Sequence, residues 1–201
     1  MPRVSIFLTP FLSLVLDVSS QSSMQEMTAN LKPGDLVLRS GRGIEAAAVQ
    51  LASSGMMSHI GIVVRDTATG NLLVAHAEPS MATNSSGYLA AEPLSSFIDI
   101  EKASAYEIWR PRREMEIDTI NMEQFSWRAI KHRVPFDSHF SMTDGSAYYC
   151  SEFVLLAYNA GHAKFRHKIV ASTIPGFSEA VVMPEAIPRR ESFFRVSIQS
   201  R

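Results

Sequence analysis

The chain of 201 residues is long enough for one domain with a single sizeable core and too short for two domains of ordinary size. Hydrophobic residues make up 46% and charged residues 19%, which is typical of a globular protein and excludes a disordered or collagen-like chain. The formal net charge of -1 gives no broad attraction to nucleic acid or to an anionic membrane surface, so neither partner is expected.

The N-terminus resembles a short secretory signal. Arg3 precedes an apolar stretch from Val4 to Leu16, and a small polar run follows. The stretch is too short, and too interrupted by Pro10 and Asp17, for a membrane span of about twenty apolar residues. We therefore interpret residues 1–23 as a signal peptide or a disordered leader, which predicts export to the periplasm or the exterior. The alternative is an N-terminal core strand and a cytoplasmic protein.

The predicted elements of the folded part begin near Leu31. An apolar run at 36–38 predicts a buried strand, and an Ala- and Leu-rich block at 44–52 predicts a helix that ends before Gly55. Apolar segments on either side of a turn-rich stretch predict a β-hairpin. Its strands are residues 58–64 and 72–78. A further strand at 105–110 and a helix at 122–132 follow.

The hairpin brings together three side chains that could act in catalysis. Strand periodicity places His59 on one face of the first strand, and His76 and Glu78 on one face of the second. A symmetric turn that pairs Arg65 with Gly70 would put His59 directly opposite His76, whereas a register moved by two would put it opposite Glu78. We favour His76 because it lies deeper in the apolar strand, where a polar side chain most needs a partner.

The single cysteine excludes an internal disulfide and a zinc site of several thiolates. Cys150 opens a helical pattern that runs to Gly161, and it follows a turn at 144–145. Amides at the start of a helix favour a thiolate, and a cysteine nucleophile also needs an imidazole base held by a third polar group. Taken alone, Cys150 and His59 would each be interpreted as buried packing residues.

The order of motifs resembles that of the permuted papain-like YaeF/YiiX amidase family, a branch of the NlpC-type superfamily. A Gly-Asp pair at 34–35 precedes the first strand, S-H-I-G stands at 58–61, and Y-C-S-E stands much later at 149–152. An aromatic and Asp lead-in at 135–144 and a closing segment at 181–193 are also similar. Histidine before cysteine is the order that the permutation implies. The resemblance runs from about Leu31 to Phe193, and we assign residues 31–195 to the domain.

The resemblance implies an α+β fold of the circularly permuted papain-like, NlpC type, with an antiparallel sheet or small barrel packed against helices. It implies Cys150 as nucleophile, His59 as base and His76 as the third member. Glu78 is the alternative third member, because the YiiX branch is expected to carry a carboxylate. The implied reaction is hydrolysis of an amide or peptide, such as a cell-wall peptide, through a thioester.

No metal or organic cofactor is expected, since the remaining histidines show no H-E-x-x-H or comparable ligand spacing. Two other functions stay open at this point. One is a lipid acyltransferase or thioesterase that uses the same thiol and histidine core. The other is a catalytically silent module that binds a peptide in the cleft.

Overall fold

A computed structural model describes residues 22–80, 87–142, 145–162, 173 and 179–200. The chain divides into two units, Met1–Leu31 and Lys32–Arg201. The described part of the first unit contains a helical segment at 22–29. Nearly all of the predicted signal peptide lies outside the described residues. Within the described residues, no helix combines the length and apolar character needed to cross a membrane.

The second unit contains six strands and four α-helices among its described residues. The strands are β1 (Leu36–Gly41), β2 (His59–Arg65), β3 (Leu72–Glu78), β4 (Tyr88–Glu92), β5 (Ala103–Pro111) and β6 (Phe193–Ser200). The helices are α1 (Ile44–Ser53), α2 (Leu94–Phe97), α3 (Thr119–Lys131) and α4 (Cys150–Gly161). Short 3-10 helices occupy Arg113–Met115 and Pro184–Ala186.

The strands form one antiparallel sheet in the order β4-β3-β2-β1-β5-β6. The expected α+β architecture, with an antiparallel sheet packed against helices, is therefore confirmed. The sheet of described strands is open, with β4 and β6 at its edges, so it is a sheet and not the small barrel that was the other expectation.

One face of the sheet forms the main core. Because side chains alternate along a strand, alternate residues of β1, β2 and β3 point to this face, and α4 packs on β2 and β3. The set comprises Leu36, Leu38, Ile60, Ile62, Val64, Ala75 and Ala77 on the strands, and Phe153, Val154 and Ala157 on α4. Helix α4 is thereby held against β2 and β3, with its first residue, Cys150, in the same cluster.

The opposite face carries the polar residues of the predicted site. Arg39 pairs with His59 between β1 and β2, and the alternation places both on this face. Helix α2 covers them through Phe97, which is fully buried. The ring centroid of Phe97 lies 5.6 Å from that of His59 and 5.0 Å from that of His76. The site therefore has a packed apolar cover on this side.

Candidate active site

The two predicted histidines are in direct contact. Nε2 of His59 lies 3.0 Å from Nδ1 of His76. The rings are nearly perpendicular, at 89°, with centroids 5.1 Å apart. Both side chains are buried, so this contact is shielded from water and the orientation of one ring depends on the other.

The favoured hairpin register is wrong and the alternative register, moved by two residues, is the one observed, yet His59 meets His76 and not Glu78. Arg65 pairs with Leu72 and not with Gly70. The cause lies in the turn, where Asp66 closes a wider loop: its amide donates to the Asn71 carbonyl, and its own carbonyl accepts from the Gly70 amide. The Asp66 carboxylate also bonds Thr69 and the Ala68 amide, which stabilises this longer loop.

In the observed register His76 lies beside Gly61 and reaches His59 diagonally. A Cβ on Gly61 would lie 2.5 Å from Cγ1 of Val74, 3.0 Å from the Ala75 carbonyl oxygen and 3.3 Å from Cβ of His76. Glycine therefore leaves the space that the close approach of β3 requires.

Glu78, the alternative third member, binds Arg39 instead of His59. Its Oε1 accepts from Nη2 of Arg39 at 2.5 Å. Nη1 of Arg39 donates to the Phe97 carbonyl at 2.9 Å, and its guanidinium lies 4.5 Å from the centre of the Phe97 ring. The geometry thus brings His76 to His59 and assigns Glu78 to a buried arginine.

Sequence reasoning missed Glu92, at the end of β4. Its Oε1 lies 3.2 Å from Nε2 of His76, and its Oε2 accepts from Nζ of Lys102 at 2.8 Å. Burial acts to raise the pKa of Glu92, but the contacts with His76 and Lys102 outweigh it and lower the pKa to about 2. Glu92 is therefore an anion at neutral pH, and it forms the far end of a line of polar contacts that starts at His59.

His59 is held in its neutral form. Burial lowers its pKa well below 6.5, and the positive charges of Arg39 and Lys102 and the neighbouring His76 act in the same direction. A neutral imidazole near pH 7 has a free lone pair and is able to accept a proton, as a general base must.

Cys150 lies at the point where β2 and β3 separate. Pairing between these strands begins only at Ile62 and Ala75, so the Ile60 amide is left to hydrogen-bond the sulfur. The hydroxyl of Ser151 lies 3.9 Å from Sγ. Among the described residues, no hydrogen bond joins Cys150 to His59, although the sulfur lies near the backbone of Ile60 on the same strand.

The thiol is protonated in this arrangement. Burial raises the pKa of Cys150, while Ser151, the Ile60 amide and the charge of Arg39 oppose the increase. The helix start therefore does not by itself produce a thiolate here, in contrast to the expectation from the sequence. A thiol of this kind needs a base to become a nucleophile.

The loop before His59 is tied to a distant part of the chain. Oε1 of Glu185 accepts hydrogen bonds from the amides of Met56 and Met57, each at 2.8 Å. Gly55 lies under the same carboxylate, since a Cβ there would be 2.0 Å from Oε2 of Glu185. The start of β2, where His59 stands, is thus anchored by the 3-10 helix near the C-terminus.

One cluster has side chains of the types that hold metal ions. Donor atoms of His76, Glu78 and Glu92 lie within 4.8 Å of one another. However, Arg39 neutralises Glu78 and Lys102 neutralises Glu92, so the four charges already balance. A divalent ion would stand beside a guanidinium and an ammonium group, and the repulsion between these positive charges is unfavourable. The arrangement does not fit a metal ion.

Neither the known family models nor the curated proteins contain a match to this chain. Among solved structures, the chain is similar to the crystal structure of YiiX from Escherichia coli O157:H7, which is described as a metalloprotein. The TM-score is 0.64 at 20% sequence identity, and the similarity covers 85% of this chain and 98% of YiiX. The chain therefore has a YiiX-like fold.

Proposed function

We propose that this protein is a cysteine-dependent hydrolase of the permuted papain-like type. Its substrate is an amide or peptide, such as a cell-wall peptide, and the reaction passes through a thioester. The observation that carries the proposal is the line of contacts from His59 through His76 to Glu92, together with the single cysteine at the backbone of Ile60, the residue that follows His59. Paired imidazoles backed by an ionised carboxylate are typical of a base whose orientation matters.

The residues support a two-step acyl transfer. His59 takes the proton of the Cys150 thiol, and the sulfur attacks the substrate carbonyl carbon. The tetrahedral intermediate collapses, the C–N bond breaks, and the leaving amine receives the proton from His59. Water, deprotonated by His59, then attacks the thioester and releases the acid and the thiol. The Cys150 amide, at the first turn of α4, is the oxyanion donor that we assign.

In the first step Sγ must approach the ring of His59, since no hydrogen bond joins the two side chains among the described residues. The sulfur then leaves the Ile60 amide, which acts on it in the free protein. Such contacts are often loose in a free enzyme and tighten when substrate binds. The neutral thiol and neutral imidazole agree with this order, because the proton moves to His59 as the sulfur attacks an electrophile.

The description of YiiX as a metalloprotein raises a second function, metal binding. The charges of Arg39 and Lys102 oppose it in this chain, and no reaction step uses a metal. We further propose that residues 31–195 form the catalytic unit and that residues 1–23 direct export. The acyltransferase and the silent peptide-binding module are the alternatives that the experiments below separate.

Alkylation of the single thiol tests the nucleophile directly. We expect iodoacetamide to label wild-type protein at pH 7 under native conditions, with one adduct by mass spectrometry. His59→Ala should slow labelling at least tenfold because the thiol loses its base. The matched control is His132→Ala, at an exposed histidine that ends α3, which should label like the wild type.

Turnover is then measured with peptide, amide and acyl ester substrates on the same preparation. We expect Cys150→Ser to keep the fold and to lose hydrolysis. Release of free acid supports the hydrolase, whereas transfer of the acyl group to an added amine or alcohol in preference to water would indicate the acyltransferase. A wild-type thiol that reacts only in urea, or a Cys150→Ser variant with unchanged turnover, would refute the proposal.

A further inference from the structure

The line of contacts from His59 through His76 to Glu92, called here the histidine relay, ends in an ionised carboxylate at Glu92. A neutral imidazole carries one N–H group and one lone pair, so each contact in the relay needs the proton on one defined nitrogen. The anion at Glu92 is the one member whose hydrogen-bonding role is fixed, since an ionised carboxylate only accepts. The protons of both rings follow from it.

The first step concerns His76. Its Nε2 lies 3.2 Å from Oε1 of Glu92. If that nitrogen carried the lone pair, two electron-rich atoms would face each other in a buried site, and Oε1 forms no hydrogen bond of standard geometry among the described residues that could offset this repulsion. The contact is favourable only with the proton on Nε2, which places the positive end of the N–H group beside the carboxylate.

The second step concerns His59, whose tautomer is determined by that of His76. With its proton on Nε2, His76 presents a lone pair at Nδ1, and that atom lies 3.0 Å from Nε2 of His59. The contact needs one proton, so Nε2 of His59 must carry it. The remaining nitrogen of His59, Nδ1, then bears the free lone pair.

We propose that Glu92 is a positioning residue that acts through His76: it holds His59 in the tautomer whose lone pair is on Nδ1. Nδ1 is then the atom that accepts the Cys150 proton, and this last assignment rests on the proposed function. Lys102 holds the other carboxylate oxygen, and Phe97 packs against both rings and limits their rotation. Glu92 itself contacts neither the thiol nor the substrate.

Glu92 belongs to the histidine relay, whereas Glu78 does not. Glu78 lies in the same cluster, but its carboxylate accepts from Arg39, and none of its described contacts is with an imidazole. Glu78→Gln therefore removes one negative charge, as Glu92→Gln does, but it leaves the atoms of the histidine relay in place. This gives a matched control for the substitution of Glu92.

The test is the tautomer of each ring, read from the ¹⁵N chemical shifts of histidine-labelled protein near pH 7.5. We expect both His59 and His76 in the wild type to show a protonated Nε2 and a bare Nδ1. Glu92→Gln should shift the signals of both rings toward a mixture of tautomers, because a neutral amide accepts and donates equally well. Glu78→Gln should leave both tautomers unchanged.

A kinetic measurement complements the spectrum. Glu92→Gln is expected to lower kcat by about 10- to 100-fold with little change in KM, as for a group that orients a base without binding substrate. If Glu92→Gln does not fold, Lys102→Met serves instead, since this side chain is 40% exposed and its loss frees the carboxylate from one anchor. The same shift of tautomers, smaller in size, is then expected.

The outcomes separate this inference from the proposed function. A protonated Nδ1 on either ring of the wild type, or unchanged tautomers in Glu92→Gln, would overturn the inference even for an active enzyme. Two protonated Nε2 atoms that respond to Glu92→Gln, in a protein whose Cys150 is inert, would support the role of Glu92 and refute the hydrolase.

Discussion

Gly61→Ala is the substitution for which the structure gives the clearest expected cost. The new methyl group would lie 2.5 Å from Cγ1 of Val74 and 3.0 Å from the Ala75 carbonyl oxygen, against about 3.5 to 4.0 Å for ordinary contact. Relief needs a shift of roughly an ångström in β3, and overpacking of this kind costs about 1 to 3 kcal/mol. Alanine also restricts the unfolded chain, which returns about 0.4 to 1 kcal/mol. We expect a net loss near 1.5 kcal/mol.

A double-mutant cycle identifies the cause of that loss. Val74 is fully buried, so Val74→Ala alone leaves a cavity and should cost about 1 to 3 kcal/mol. In the double variant the methyl group at position 61 occupies part of that cavity. The two costs should therefore fall short of additivity by about 1 kcal/mol.

Urea unfolding of the wild type, the two single variants and the double variant gives each free energy of unfolding. The slope of that free energy against urea concentration, the m value, is compared across the four proteins. Gly61→Ala should also perturb the ¹⁵N signals of His76, whose Cβ lies 3.3 Å from the added atom. Additive costs, or a Gly61→Ala protein as stable as the wild type, would show that β3 moves aside freely. Gly61 would then not set the distance between the two imidazoles.

Two further predictions concern the charged groups. His76→Ala should lower kcat by one or more orders of magnitude, because His59 loses the partner of its Nε2. Glu78→Ala should mainly lower the melting temperature, because it leaves a buried arginine without its carboxylate. A Glu78→Ala variant with greatly reduced kcat, beside a His76→Ala variant with normal kcat, would contradict this prediction. The pKa of His59 is lowered by folding, so its stabilising contribution is complete above about pH 6.5 and is lost as the pH falls below that value. Urea unfolding between pH 7.5 and 5 should show this loss in the wild type and less of it in His59→Gln, and equal losses would count against it.

The strands with strong apolar patterns were predictable from the sequence. The strand predicted at 72–78 matches β3, and the helix predicted at 44–52 is observed with one more residue, Ser53, at its end. The hairpin register was not predictable, because it depends on the hydrogen bonds of Asp66 in the turn, and the turn composition permits loops of more than one length. A two-residue shift keeps the same faces, so the pattern of apolar residues cannot detect it.

Glu92 was missed for a different reason. Strand β4 has the sequence Y-L-A-A-E, in which two alanines weaken the strand signal, and its position at the sheet edge depends on pairing with β3. The role of Glu92 depends on His76 from the neighbouring strand, a contact between residues that no local periodicity connects. Strand β6 was missed as well, since it forms only by pairing with the distant β5.

The hydrogen bonds from Met56 and Met57 to Glu185 have a consequence for the order of events during synthesis. The strand that bears His59 leaves the ribosome well before the carboxylate that fixes its approach, which follows more than a hundred residues later in the chain. At about 5 to 20 residues per second, many seconds pass between the two. A nascent chain therefore carries Cys150 and His59 before it carries Glu185, and we expect its thiol to become reactive only after the segment with Glu185 has been made.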